Sequence, residues 1–386
     1  MVLTLSLFIL MFAYAFSVTM IGPLIKVFMD DYGVSLSQSG LISLFQGLGG
    51  AISVFLGIAF ADKVRRSLLI KVCFIVYCAA ALLIALAPPY AVLLILFFLI
   101  GGSTRLLDAI LNAYIADIHP GKRSFYLMLL HAAFGMGALL GPFVSTAFIH
   151  AGVHWTWIFL ALGGFCVLIL GFYALVQRKI PLAKPEGKVT GLKNLVHLLK
   201  NKNIVLLCFL ALSYVAFALS CSTWMPSYMG ELHQDVVFSS IPVISMWVGI
   251  ISGRITVSFL SLKYPAKYLL LIGGMAGATA MAVAVFVNSP MAYVFGLLVA
   301  GFALGAVMPL SIAVGNNMLP AYSGSVSSLL TFSGIVGLMV FPPLIGLLAD
   351  TLGFWYGIAV IVLFPCAVAV LAAFLPGLQP TRNNED

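Results

Sequence analysis

The stretch WTWIFLALGGFCVLILGFYALV, residues 155–176, contains no charged side chain. Its 22 residues exceed the roughly 20 that an α-helix needs to cross the hydrocarbon core of a bilayer. A polar stretch, residues 177–202, follows at once and brings lysines, prolines and glycines. This order predicts a membrane-spanning helix that ends at the membrane surface.

Apolar runs of the same kind cover the rest of the chain. The first six lie near residues 2–28, 39–61, 68–87, 91–116, 124–149 and 155–176. The second six lie near residues 203–229, 237–260, 267–287, 291–317, 323–349 and 354–376. Because 63% of the residues are apolar and only 8% are charged, against roughly 25% in an average soluble domain, a soluble protein is excluded. We predict an all-α membrane protein with twelve transmembrane helices in two six-helix bundles.

The polar stretch between the two sets of runs predicts the domain organisation. Its leucines recur at helical spacing among lysines, which is typical of an amphipathic helix at the membrane surface. The expected segments are an N-terminal six-helix bundle (1–178), a cytoplasmic linker with an amphipathic helix (179–202), a C-terminal six-helix bundle (203–378) and a cytoplasmic tail (379–386).

The net charge of +8 sits in short loops, so it indicates topology rather than nucleic-acid binding. Loops on the predicted cytoplasmic side hold Lys63, Arg65, Arg66, Lys122, Arg123, Lys263 and Lys267. Loops on the opposite side hold only Lys26. Since basic loops stay in the cytoplasm, we expect a multi-pass protein of the plasma (inner) membrane with both termini cytoplasmic.

No catalytic or metal-binding motif emerges from the sequence. All six cysteines lie inside apolar runs, without Cys/His metal spacing. Neither a phosphate-binding loop nor a hydrolase motif is present. We therefore expect no cofactor, no metal and no enzymatic activity.

Among eleven acidic residues, only Asp108 falls deep inside a predicted span, the fourth. A carboxylate at that depth costs roughly 2.5–3.5 kcal/mol on insertion scales, which favours a functional role. Arg105 and Asn112, three residues before and four after, share its helical face. Two interpretations remain open: a polar substrate site facing a central cavity, or a structural Arg–Asp pair within one helix.

His131, in the fifth span, should lie at about the depth of Asp108. The two spans form an antiparallel hairpin, and both residues are about equally far from its turn near Pro120. A histidine at that level is either a proton-relay partner of Asp108 or a packing residue.

Aromatic and polar side chains near the middle of several spans suit a sugar-type pocket, which combines flat apolar walls with few polar groups. These candidate substrate-binding residues are Tyr14, Gln46, Tyr214, Trp224 and Trp247. Each of them could instead serve helix packing or anchor a helix at the membrane interface. Arg254 lies near the cytoplasmic end of the eighth span, where we expect a gate or a structural contact.

Two sets of six spans joined by a basic linker resemble the major facilitator superfamily. The segment Asp62-Lys63-Val64-Arg65-Arg66 is similar to the superfamily's loop motif after the second helix, D-R-x-G-R-R, without its glycine. Asp62, Arg65 and Arg66 are therefore assigned to a gating loop. The segment Gly137-Ala-Leu-Leu-Gly141-Pro142 resembles the fifth-helix G-x-x-x-G-P element.

Within the superfamily, the sequence resembles the fucose–galactose–glucose proton symporters and the related glucose permeases. The resemblance is carried by Phe45-Gln46, by Trp224-Met-Pro226-Ser-Tyr228 and by Trp247-Val-Gly249-Ile-Ile-Ser-Gly253-Arg254. It implies proton coupling through membrane acids in the first and fourth helices. Asp108 matches the fourth-helix position, whereas the first helix has no acid before Asp30. Arg105 also resembles the fourth-helix arginine of organic-anion symporters.

These observations predict a monomeric secondary transporter that works by alternating access. We expect it to move a small neutral sugar or polyol, coupled to protons. One alternative is an organic acid held by Arg105, and a second is export of hydrophobic compounds. A sensor or scaffold with a transporter fold is a further alternative, although no soluble signalling domain is present.

Overall fold

The computed structural model describes residues 2–60, 66–119, 123–177, 198–232, 235–319 and 322–376. In the first half of the chain, the described helices are α1 (Val2–Thr19), α2 (Ile21–Tyr32), α3 (Leu36–Phe60), α4 (Arg66–Ile84), α5 (Tyr90–Ile118), α6 (Arg123–His150) and α7 (Trp155–Gln177). In the second half they are α8 (Lys202–Glu231), α9 (Val236–Ser239), α10 (Ile241–Leu260), α11 (Ala266–Val287), α12 (Pro290–Leu304), α13 (Val307–Met318), α14 (Ser323–Leu352), α15 (Phe354–Val360) and α16 (Leu363–Ala373).

The helices follow the predicted spans. Within the described residues, eleven helical stretches are long and apolar enough to cross a membrane. They match eleven of the twelve predicted spans, and the remaining span is the 25-residue helix α3. The predicted all-α membrane architecture is therefore confirmed.

Three predicted spans each consist of two helices, namely α1–α2, α12–α13 and α15–α16. Each break comes three or four residues before a proline, respectively Pro23, Pro309 and Pro365. A proline has no N–H, so the carbonyl four residues earlier loses its helical partner. At the break between α12 and α13, that carbonyl belongs to Gly305.

The chain divides into two compact units, residues 1–189 and 190–386. In unit 1, α1 packs on α6, α3 on α5, and α4 on both α5 and α7. In unit 2, α8 packs on α14, α10 on α12, and α11 on both α12 and α16. Most of the predicted linker (179–202), the tail (379–386) and the gating-loop residues Asp62 and Arg65 lie outside the described residues.

Glycines hold neighbouring helices in close contact. A side chain at Gly137 or Gly141 would collide with the backbone of α1, and one at Gly249 or Gly253 with that of α12. Helix backbones approach closely only where small residues line the interface. These glycines therefore fix which helices meet, and with them the positions of the polar side chains below.

Candidate functional site

In unit 1, the Asp108 carboxylate is held by a residue of its own helix. The Asn112 side-chain nitrogen donates to Asp108 Oδ1 at 2.9 Å and to the Asp108 main-chain oxygen, also at 2.9 Å. Both residues are half-buried on α5. Two of the three residues predicted to share a helical face are therefore hydrogen-bonded to each other, and this leaves carboxylate lone pairs for other partners.

His131 of α6 and Arg105 of α5 both lie close enough to the Asp108 carboxylate for their charges to act on it. His131 and Asp108, on neighbouring helices, are therefore within electrostatic reach of each other. The His131 side chain is exposed within its unit.

Arg105 reaches across to α1. Its guanidinium carbon lies 5.9 Å from the centroid of the Tyr14 ring, within the range of a cation–π interaction. Tyr14 is 1% exposed and meets Phe134 edge to face, with ring centroids 5.5 Å apart. On the other side of Arg105, a Cβ at Gly50 of α3 would lie 2.8 Å from Arg105 Cγ. The arginine stem therefore occupies space that a larger residue at position 50 would fill.

Gln46 of α3 is 5% exposed, and its side-chain nitrogen has no hydrogen-bond partner among the described residues. Its main-chain oxygen lies against Gly101 of α5. A buried amide donor without an acceptor costs about 1–3 kcal/mol, so a ligand that supplies the acceptor would gain from it.

In unit 2, Tyr214 and Arg254 are bonded to each other. Arg254 Nη2 donates to the Tyr214 hydroxyl at 2.9 Å, and Arg254 Nε donates to the Gly305 carbonyl at 3.0 Å. From their sequence positions, Tyr214 was expected to bind substrate and Arg254 to form a gate or a structural contact, so the bond between them was not predicted. The available signal was Pro309, which leaves the Gly305 carbonyl in need of a donor.

Trp224 and Trp247, two of the aromatic candidates, lie inside unit 2. The Trp224 side chain is fully enclosed, and its indole N–H donates to the Pro342 carbonyl at 2.9 Å. Its ring meets Phe354 edge to face, with ring centroids 6.1 Å apart. Trp224 therefore contributes to the packing of α8 against α14 and α15, rather than offering a free face to a sugar. Trp247 is 3% exposed on α10.

The one described member of the predicted gating loop is Arg66, a half-buried residue at the start of α4.

Comparison with known proteins places this arrangement of helices in a family. A profile described as Major Facilitator Superfamily matches residues 7–337. The chain belongs to the Major Facilitator Superfamily.

Similarity to individual members of the superfamily covers most of the chain. The chain is 24% identical over 335 residues to the Protein TsgA homolog of Buchnera aphidicola subsp. Schizaphis graminum, covering 85% of each. It is 22% identical over 352 residues to the glucose/mannose transporter GlcP of Bacillus subtilis, covering 87% of this chain and 86% of GlcP. A crystal structure of a D-xylose–proton symporter has the same fold, with a TM-score of 0.77, 17% identity and 98% coverage of both chains.

Membership of the superfamily confirms the predicted family resemblance. This superfamily member is a secondary transporter of small solutes, embedded in the membrane by multiple helices, and it is not an enzyme.

Proposed function

We propose that this superfamily member moves a small sugar-type solute together with protons across the plasma membrane. The observation that carries the proposal is the polar group on α5. There, Asp108 is hydrogen-bonded by Asn112 and interacts with His131 of α6. A carboxylate within a membrane span marks a proton or substrate pathway by default.

Proton coupling is supported by the surroundings of Asp108. Asn112 donates a hydrogen bond to the carboxylate and so orients it. His131 lies within electrostatic reach of the carboxylate and can itself bind and release a proton. A proton held by this pair would neutralise the carboxylate during the conformational change. Such neutralisation lowers the cost of moving the site between the two sides of the membrane.

The neutral sugar or polyol is supported by Gln46 and Tyr14. The unpaired Gln46 amide nitrogen would gain an acceptor from a substrate hydroxyl, and the Tyr14 hydroxyl supplies a further polar contact. The names of two similar proteins point the same way, since one is a glucose/mannose transporter and the other a D-xylose–proton symporter.

Uptake of labelled D-glucose, D-xylose and mannitol into proteoliposomes under an imposed proton gradient tests this proposal. We expect one of these solutes to accumulate and Gln46→Ala to weaken its apparent affinity about tenfold, since a buried hydrogen bond is lost. Gln38→Ala is the matched control, because Gln38 is exposed on the same helix. Equal uptake by empty vesicles, or equal loss in the control, would contradict the proposal.

The second candidate substrate is an organic acid, and it is favoured by Arg105. This half-buried guanidinium is placed against Tyr14 of another helix and could meet a substrate carboxylate through its paired N–H groups. If the substrate is an acid, Arg105→Lys should abolish binding, because an ammonium cannot reproduce the bidentate fork. If the substrate is neutral, binding should survive Arg105→Gln.

A further inference from the structure

A close contact between two helices of unit 1 recurs in unit 2, and the residues that form it are 200 positions further along the chain. In unit 1, a side chain at Gly101 of α5 would collide with the main-chain oxygen of Gln46 of α3. In unit 2, a side chain at Gly301 of α12 would collide with the main-chain oxygen of Met246 of α10. Both residues of the second contact are numbered 200 higher than those of the first. The helix pair α3–α5 therefore corresponds to α10–α12.

A second contact, between other helices, has the same register. In unit 1, a side chain at Gly137 of α6 would collide with the Phe12 main-chain oxygen of α1. In unit 2, a Cβ at Gly337 of α14 would lie 2.6 Å from the Leu212 main-chain oxygen of α8. These residues again differ by 200, so α1–α6 corresponds to α8–α14.

This register makes Tyr14 and Tyr214 counterparts, and each of them is contacted by an arginine. In unit 1 the arginine is Arg105, from α5. In unit 2 it is Arg254, from α10, the helix that corresponds to α3. The counterpart of Arg105 is Gly305, whose carbonyl Arg254 binds. Each unit thus places one guanidinium beside the equivalent tyrosine. The arginine comes from α5 in unit 1, but in unit 2 it comes from α10, the counterpart of α3.

The Arg254 charge has only neutral contacts within the described part of unit 2. Its partners are a tyrosine hydroxyl and the Gly305 carbonyl, which Pro309 leaves without a helical donor. No described carboxylate forms an ion pair with it, and the described acids of unit 2 are Glu231, Asp235 and Asp350, at helix ends. A guanidinium has five N–H donors, and these two contacts use two of them.

Arg254 is half-buried on a membrane span and has no anionic partner among the described residues of unit 2, which makes it a functional-site candidate by default. Its remaining N–H groups can form the paired hydrogen bonds that a carboxylate accepts. Because the Tyr214 hydroxyl accepts from Arg254, its own O–H remains free to donate to the same anion.

We propose that Tyr214 and Arg254 form an anion-binding subsite in unit 2, the counterpart of Tyr14 and Arg105 in unit 1, and that its ligand is the carboxylate of a sugar acid. The proposal rests on the transport function above and selects its acidic substrate. It also changes the role of Arg254 from a gate to a residue that contacts the solute.

Thermal unfolding of the purified full chain with sodium D-glucuronate, against D-glucose at matched sodium chloride, tests the subsite. The two solutes differ by one carboxylate in place of a hydroxymethyl group. A ligand of the folded state raises the melting temperature, and the stabilisation grows with the logarithm of the ligand concentration divided by Kd. We expect glucuronate to stabilise the wild type and Arg254→Gln to weaken its affinity about 10- to 100-fold, the effect of losing charged hydrogen bonds.

The chosen substitutions keep the test independent of folding. Arg254→Gln retains an amide that can donate to the Gly305 carbonyl, and Tyr214→Phe removes one hydroxyl while leaving the guanidinium in place. We expect Tyr214→Phe to weaken glucuronate binding about 3- to 10-fold. Lys263→Gln is the matched control, since it removes an exposed positive charge just after α10 and should leave the affinity unchanged.

Two results would overturn the subsite and leave the transport function standing. One is an unchanged glucuronate affinity in both Arg254→Gln and Tyr214→Phe, with loss only in Arg105→Gln. The other is stabilisation of the wild type by glucose but by none of glucuronate, galacturonate and gluconate. Stabilisation by no sugar and no sugar acid would overturn the subsite and the proposed substrate class together.

Discussion

Replacing Gly50 with alanine places a methyl group against the stem of Arg105. The new Cβ would lie 2.8 Å from Arg105 Cγ and 3.5 Å from Arg105 Cβ. Carbon atoms pack best at about 3.5–4.0 Å, so the arginine or α3 has to move by about 0.7 Å or more. We expect the substitution to destabilise the protein and to displace the guanidinium from Tyr14.

The magnitude follows from two opposing effects. Overpacking costs about 1–3 kcal/mol, and replacing a helical glycine by alanine returns about 0.5–1 kcal/mol. The net loss is therefore on the order of 0–2.5 kcal/mol in the wild type. In an Arg105→Ala background Cγ is absent, so Gly50→Ala should stabilise by about 0.5–1 kcal/mol. The predicted coupling between the two sites is about 1–3 kcal/mol.

The assay is the melting temperature of the four proteins of this double-mutant cycle in one detergent. For a chain of this length, 1 kcal/mol corresponds to roughly 1 °C, so the coupling should appear as a shift of about 1–4 °C. Gly164→Ala is the control, because nothing lies within 4 Å of its added Cβ. Its effect should be the same in both backgrounds. Additive effects of Gly50→Ala and Arg105→Ala would refute the contact between glycine and arginine stem.

Three further predictions concern stability, packing and topology. Burial lowers the pKa of His119, at the end of α5, below its usual 6.5, so its protonation opposes folding. Thermal stability should therefore fall as the pH drops below about 6.5, and His119→Gln should flatten that dependence. Trp224→Phe removes the hydrogen bond to Pro342, so it should lower the free energy of unfolding by about 1–2 kcal/mol and leave transport intact. Loss of solute binding at unchanged stability would instead make Trp224 a substrate contact. In sealed cells, an external thiol reagent should label a cysteine placed at Glu231 but not one at Lys188, and equal labelling would contradict cytoplasmic termini.

The sequence predicts the number of spans well because the bilayer imposes a simple rule. Each crossing needs a long apolar helix, and apolar runs are visible without any knowledge of neighbours. The breaks at Pro23, Pro309 and Pro365 escape that rule, since the residues on both sides are equally apolar. Each of the three is followed within four residues by a proline, whose missing N–H leaves one carbonyl of the backbone ladder unpaired while the hydropathy stays the same.

The site was predictable only where it lies on one helix. Asp108 and Asn112 are four residues apart, so helical periodicity alone places them together. The contact of Tyr214 with Arg254 depends on which helices are neighbours, and glycine contacts between α10 and α12 decide that. The enclosed Trp224 shows the same limit, because its hydrogen-bond acceptor lies 118 residues away in the chain.

The most direct test of the central claim is the external pH of weakly buffered proteoliposomes when a transported solute is added. Asp108 is the only acid that the sequence places deep in a span, so proton-coupled transport through it predicts alkalinisation with the wild type and none with Asp108→Asn. Solute counterflow should survive in the variant, because exchange requires binding and rocking without net proton movement. An undiminished pH change in Asp108→Asn, or wild-type counterflow without any pH change, would contradict the account.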